Sequence, residues 1–373
     1  MLKGLSTVIA EPSCTGCAEC FSPLWALRRA KLRLHFAKPS ELQRSRSPFR
    51  WKNAQKQPTR NTVAKKRAGQ GYVDCDYLFD NFLQRAPFRS MLSQGRWGAE
   101  NTMKTHRVAG GGGVQLHVVE TGNQRGRPIL FIHGASQCSL QWNLQMNSSL
   151  ADVHRLVALD MRGHGLSDKP RDAYNDSKLW ADDINAVIQT LKLDHPVLSG
   201  WSYGPLVFLD YVRHYGEDQL GGLQFVGGGS KLGSEEAMSV LTPEFLNVVP
   251  QFLSTDAETS VRGLEGLLRL CFAREPSPSE LYLMLGYNVS VPPHVRQGLF
   301  SRSFHNDDLL PKIRKPVLIT HGSADAIVKP AVVDQHKAAM PHAQIHLMHT
   351  GHAAFWDDAA GFNERLRTFC ESL

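Results

Sequence analysis

Residues 199–207 read S-G-W-S-Y-G-P-L-V. An apolar run at 196–199 leads into them, and a helical run at 206–212 follows. Strand, tight turn and helix in that order is the setting in which G-x-S-x-G holds its serine in a strained turn, with small residues letting strand and helix approach each other. Ser202 is therefore a candidate nucleophile. Pro205 raises the question of whether a helix can begin so close behind it. If the helix starts at about Tyr203 or Gly204, the proline lies in its first turn, where a backbone N–H has no intrahelical acceptor and a φ of about −65° is already helical. It then does not break the helix, but it is expected to stiffen the turn and narrow the room beside Ser202.

Outward from this point, short apolar runs alternate with helical stretches. This is the pattern of an α/β protein with a largely parallel sheet flanked by helices. Strands are expected at 115–119, 129–132, 155–159, 196–199, 223–226, 316–320 and 344–348. In the stretch 177–193, Leu179, Ile184, Val187, Ile188 and Leu191 recur near helical spacing, and Asp182, Asp183 and Asn185 are expected to face away from them. After Val226 the rhythm breaks, and the next strand begins only at Pro316. A structureless loop of that length is improbable, so an inserted helical cap is expected over about 230–312, with helical patches at 244–253 and 260–272.

The serine has company in the required order. H-G-S-A-D-A-I-V at 321–328 places Asp325 in the loop after the penultimate strand, and H-T-G-H at 349–352 places His352 after the last. A serine hydroxyl needs a base, and the base needs an acceptor that fixes its tautomer and stabilises its cation. Ser202, Asp325 and His352 supply those roles. His346 and His349 are the alternatives for the base, one inside the strand pattern and the other near its end. Asp307 and Asp308 precede the penultimate strand and lack the loop position for the acid.

Residues 103–373 resemble the α/β-hydrolase superfamily, and within it the cofactor-free, non-haem haloperoxidase-like serine esterases. The residues that carry the resemblance are F-I-H-G-A at 131–135, D-M-R-G-H-G-L-S-D-K-P at 160–170, G-W-S-Y-G at 200–204, H-G-S-A-D-A-I-V at 321–328 and G-H at 351–352. The resemblance implies the α/β-hydrolase fold and an oxyanion hole made by the backbone N–H groups of Tyr203 and Ala135. It implies hydrolysis of a small-molecule carboxylic ester through an acyl-enzyme, with no metal and no organic cofactor. Perhydrolysis with haloperoxidase activity, lactone hydrolysis and C–C bond hydrolysis are the neighbouring chemistries, and a non-enzymatic ligand receptor is the alternative of a different class. A serine at 202, where an aspartate would be needed, argues against the alkyl-enzyme chemistry of haloalkane dehalogenases and epoxide hydrolases. His133 and His164 invite a metal, but both sit in motifs where the resemblance implies structural roles. Arg162-Gly163-His164-Gly165 lacks the lysine and helix of a phosphate loop. Trp142, Trp201 and Tyr203 are expected in the core or in a substrate wall.

Composition divides the chain. Residues 1–102 hold 18 Lys and Arg against 7 Asp and Glu, leaving 24 against 28 in the remainder, so the formal charge of +7 belongs to the first hundred residues. The main body therefore gives no electrostatic reason to expect nucleic acid. Between 21 and 73 there are 14 basic residues and one acid, Glu41, with no sustained period. Such a stretch is expected to be disordered, and residues 1–102 as a whole are expected to be an extension outside the working protein at 103–373. An organellar leader and a basic arm for nucleic acid or lipid are rival readings of it. Cys14, Cys17 and Cys20 are one short of the usual four metal or iron–sulfur ligands. The other cysteines are sparse and irregularly spaced, which suits a reducing, cytoplasmic setting. No apolar run is long enough to span a membrane, and nothing in the sequence specifies an oligomeric state.

Overall fold

The computed structural model describes residues 103–373; the basic stretch and its cysteine cluster lie outside the described residues. Eight strands form one sheet: β1 Lys104–Ala109, β2 Gln115–Gly122, β3 Pro128–Ile132, β4 Arg155–Leu159, β5 Val197–Trp201, β6 Gly222–Val226, β9 Val317–Gly322 and β10 Gln344–Met348. Their spatial order is β1-β2-β4-β3-β5-β6-β9-β10. β2 runs antiparallel to β1 and β4, and every other pairing is parallel. β3, β5, β6 and β9 are buried along their whole length, which is why they read as continuous apolar runs. β5 lies near the middle of this order, and its carboxyl end opens directly into Ser202. In open α/β sheets that end is where ligands bind.

Around the sheet lie α1 Asn143–Met146, α2 Leu150–Val153, α3 Ser177–Leu191, α4 Gly204–Tyr215, α10 Ala331–Ala339, α11 Ala354–Asp357 and α12 Ala359–Glu371. Between β6 and β9 come α5 Glu235–Ser239, α6 Pro243–Phe252, α7 Ala257–Cys271, α8 Pro278–Val289 and α9 Pro293–Phe300. The two-residue strands β7 Lys231–Leu232 and β8 Phe304–His305 pair antiparallel at the two ends of this excursion. Its helices start where side chains can satisfy orphan N–H groups. Thr242 accepts from Phe245 N, Asp256 from Thr259 N, and Ser277 and Glu280 form a reciprocal capping box.

One expectation fails on α3. Asp183 does not face away: it is buried, and the buried Arg162 guanidinium binds it through Nε at 2.7 Å and Nη2 at 2.8 Å. Asp183 also accepts from Gly111 N, so this acid ties the β1–β2 turn to α3 and to the loop after β4. β1 is a second surprise, because K-T-H-R-V-A carries no clear apolar alternation; the strand is held by its pairing with β2. Among the described residues, no helix is long and apolar enough to cross a membrane.

Candidate active site

Ser202 has a φ of 58°, in the left-handed region a serine adopts only under constraint. Its N–H donates to Val226 O at 2.9 Å, which pins the turn to the end of β6. The turn also needs Gly204, where a Cβ would stand 2.5 Å from Ile132 O. Tyr203 is the N-cap of α4, and Pro205 falls in the first turn, where it costs no hydrogen bond. The ring of Pro205 is directed at Gly228, where a Cβ would come within 2.7 Å of its Cγ. It is not among the cavity-lining residues beside Ser202, so the expected narrowing of that space is not found.

Asp325 and His352 meet from their separate loops. His352 Nδ1 donates to Asp325 Oδ2 at 2.8 Å, while Asp325 Oδ1 accepts from the N–H groups of Ile327 and Val328. The carboxylate is thus fixed by the backbone on one side and orients the imidazole on the other. His352 is itself closely packed. Its carbonyl accepts from Trp201 Nε1 at 3.0 Å, and Gly227, at a φ of 55°, leaves no room for a side chain, since a Cβ would lie 2.9 Å from His352 O. Nε2 of His352 is buried and has no partner among the described residues, and His352 and Ser202 line the same cavity. His346 lies in β10 and His349 is exposed. Asp307 and Asp308 make surface ion pairs with Lys231 and Arg213. None of these four lines the cavity.

Gly134, Ala135 and Tyr203 also line the cavity. Among the described residues, the backbone N–H groups of Ala135 and Tyr203 donate to no protein acceptor. The cavity encloses about 740 Å³, open solvent at its mouth included. Its remaining wall is mostly apolar and comes largely from the excursion between β6 and β9: Val240, Leu241, Phe245, Phe252, Leu267 and Phe300. Trp201 and Tyr203 belong to this wall, whereas Trp142 is a core residue packed between the tilted rings of Phe131 and Phe355. Lys231 and Cys271 also reach the cavity; sequence reasoning missed both, because their positions depend on how the excursion folds back.

The loop that carries Ala135 rests on a buried polar network. His133 Nδ1 donates to Gly134 O, and its Nε2 accepts from Met161 N at 3.1 Å. His164 Nδ1 donates to Arg162 O, and its Nε2 accepts from Ser136 N at 3.2 Å. Both ring nitrogens of each histidine are therefore occupied by backbone, and the rings act as braces between loops. Burial lowers His133 to about 4 and His164 to about 3, so both are neutral near pH 7. Asp160 accepts from His117, Ser139 N and Leu166 N. Burial alone would raise its pKa, but the bond to His117 and the neighbouring charges bring it down to about 2. Among the described residues, no group of three or more His, Cys, Asp or Glu side chains is arranged to hold a metal ion.

The sheet order, the strained serine after β5 and the Asp325–His352 pair from the loops after β9 and β10 are the arrangement of an α/β-hydrolase fold. A match to the alpha/beta hydrolase fold family covers residues 127–359, and the chain belongs to that family. It is similar to the AB hydrolase superfamily protein YisY of Bacillus subtilis, 27% identical over 69% of this chain and 96% of YisY. It is also similar to the bifunctional esterase/perhydrolase DCH of Acinetobacter calcoaceticus, 27% identical over 58% of this chain and 80% of DCH. The crystal structure of the esterase RhEst1 from Rhodococcus sp. superposes with a TM-score of 0.68 at 32% identity, covering 72% of this chain and 99% of RhEst1.

Proposed function

We propose that the protein is a serine hydrolase that cleaves an uncharged carboxylic ester with an apolar acyl or alkoxy group. The observation that carries this reading is the combination at one cavity of a serine at φ 58° and a buried histidine whose free Nε2 is backed, through Nδ1, by Asp325. Ser202 Oγ attacks the ester carbonyl while His352 Nε2 takes its proton, and Asp325 stabilises the imidazolium that forms. The N–H groups of Ala135 and Tyr203 hold the oxyanion, each contributing on the order of 10²-fold to the rate. His352 then returns the proton to the alkoxide as the C–O bond breaks. Water, deprotonated by the same imidazole, attacks the acyl-serine, and His352 returns that proton to Ser202 Oγ as the acyl C–Oγ bond breaks and the acid leaves. Every proton moves through side chains of this chain, so the reaction as written calls for no metal or organic cofactor.

The apolar wall supports an apolar substrate, since a charged group placed against it would lose hydration, and Lys231, a cation that reaches the cavity, is already paired with Asp307 and Glu236. Similarity to a bifunctional esterase/perhydrolase favours a second use of the same acyl-enzyme, with hydrogen peroxide in place of water yielding a peracid. We take residues 103–373 as the working unit, with about 230–312 as its cover. The free, buried thiols of Cys138, Cys271 and Cys370 suit a reducing compartment such as the cytoplasm.

The test is labelling with a fluorophosphonate probe together with turnover of a series of p-nitrophenyl esters. Wild type is expected to be labelled and active. Ser202→Ala is expected to lose labelling and at least about 10⁴-fold in kcat/KM, and labelling that persists unchanged in the variant removes the nucleophile assignment. An unlabelled, inactive wild type favours a ligand receptor.

A further inference from the structure

Tyr203 carries two features that have no evident reason to share a residue. Its backbone N–H lies beside Ser202 at the cavity, and its side chain reaches the excursion. The hydroxyl donates to Leu299 O at 3.0 Å, in the last turn of α9. A carbonyl in that turn has no intrahelical donor, so the phenol satisfies an orphan acceptor that a phenylalanine would leave buried and unpaired. The ring is enclosed as well. Phe304 meets it edge-on at 5.7 Å and Trp180 lies 6.2 Å away. Behind these rings, the Arg302 guanidinium lies 4.1 Å from the Phe304 centroid and 5.1 Å from that of Trp180, and it bonds the buried Asp210 of α4 at 2.6 Å.

The adjoining backbone is strained at Ser202, and strain of that kind persists only where the surroundings over-determine it. The bond from Ser202 N to Val226 O holds one side of the turn. Tyr203 is the link on the other side. Oxyanion stabilisation depends on a donor already aimed before charge develops, so whatever fixes Tyr203 fixes that donor.

We propose that the Tyr203 side chain is a positioning group: its hydroxyl bond to α9 and its aromatic enclosure hold the Tyr203 N–H in register with the oxyanion, coupling the oxyanion hole to the helical cover. The inference rests on the serine-hydrolase reading. It differs from a packing role in what it affects, because loss of the tether weakens binding of the tetrahedral state and leaves binding of the planar ester nearly alone.

The experiment compares wild type, Tyr203→Phe and Tyr211→Phe, the last removing a hydroxyl from a buried tyrosine of the same helix. The measurements are kcat and KM on a p-nitrophenyl ester and the Ki of an alkyl boronic acid, which forms a tetrahedral adduct on the serine. In Tyr203→Phe, kcat is expected to fall about tenfold and boronate affinity by a similar factor, with KM within about twofold. Tyr211→Phe is expected to match wild type. If Tyr203→Phe does not fold, Phe304→Leu, which keeps an apolar neighbour but loses the edge-on contact, is expected to show the same split at smaller size. An active wild type whose Tyr203→Phe or Phe304→Leu variant keeps kcat and boronate affinity, or loses KM by the same factor, overturns the tether alone. A wild type that neither turns over esters nor reacts with a fluorophosphonate overturns the hydrolase reading, and the tether with it.

Discussion

Around Ser202 the strand-end loops are governed by polar contacts of fixed geometry. His133, His164 and Asp160 bind backbone atoms, and Asp325 accepts from two N–H groups as well as from His352. Over the same cavity the excursion between β6 and β9 presents apolar surface, with Phe252 edge-on to Phe300 at 5.2 Å and Phe245 at 6.4 Å from the same ring. The first region admits few substitutions, because a displaced hydrogen bond leaves a buried partner unsatisfied. The second region needs only a fitting volume. On the proposed reading, the chemistry is housed in the polar loops, which the cover touches through Tyr203, and the choice of substrate falls to the apolar helices.

The sharpest way to separate the two regions is acid. His133 and His164 are held neutral, at about 4 and about 3, whereas in the unfolded chain an imidazole titrates near 6.5. As pH falls below about 6.5, the unfolded state takes up protons that the folded state refuses. The stability these groups contribute is thus complete above that pH and lost progressively toward 4 and 3. At pH 5 the loss is about 2 kcal/mol for each histidine, by the conversion of 1.36 kcal/mol per pH unit. Asp160, depressed to about 2, adds a further loss as pH falls through its unfolded value. Urea midpoints measured from pH 7.5 to 4.5 are expected to fall steeply below 6.5, and His164→Gln is expected to flatten that slope by less than about a third, because burial also lowers His336, to about 4, and His154, His321 and His346. A midpoint unchanged between pH 7 and 5 is incompatible with the neutral braces.

A smaller effect is expected from the cover. Leu241 lies in the cavity wall and is only partly buried, so Leu241→Ala enlarges the site without emptying the core. The ratio of kcat/KM for a bulky acyl ester to that for the acetate is expected to rise about tenfold, the scale on which a hydrophobic pocket discriminates. The acetate itself should be turned over nearly as in wild type. If both esters lost activity equally, the helices would be serving the chemistry and not the selection, and the division drawn above would fail.

The same division explains what could be read from the chain. β4 and β10 begin and end where their apolar or alternating runs do, and Ser202, Asp325 and His352 are conspicuous because each follows a strand into a loop. Asp183 is misplaced because an acid next to Asp182 on a helix reads as solvent-facing until Arg162, distant in the chain, is seen to neutralise it. β7 and β8 are too short to leave a period. The cavity wall was illegible for another reason: Phe245, Phe252 and Phe300 have the spacing of ordinary core residues, and only the packing of separate helices turns them toward Ser202.

Pro205 gives the smallest effect and tests where one region ends and the other begins. It is buried in the first turn of α4, against Gly228 and away from the cavity. Replacement by alanine keeps a helix-compatible residue there and returns an N–H that the first turn leaves without an intrahelical acceptor. It also gives the unfolded chain more freedom, for a cost of about 0.4–1 kcal/mol, to which loss of the packed ring adds a little. Pro205→Ala is therefore expected to lower the urea midpoint slightly and to leave the profile across ester chain lengths within about twofold of wild type. A changed profile with unchanged stability would mean that the ring, although directed at Gly228, shapes the space beside Ser202. Selection would then reach into the elbow itself, and the boundary between polar loop and apolar cover would have to be moved inward to Tyr203.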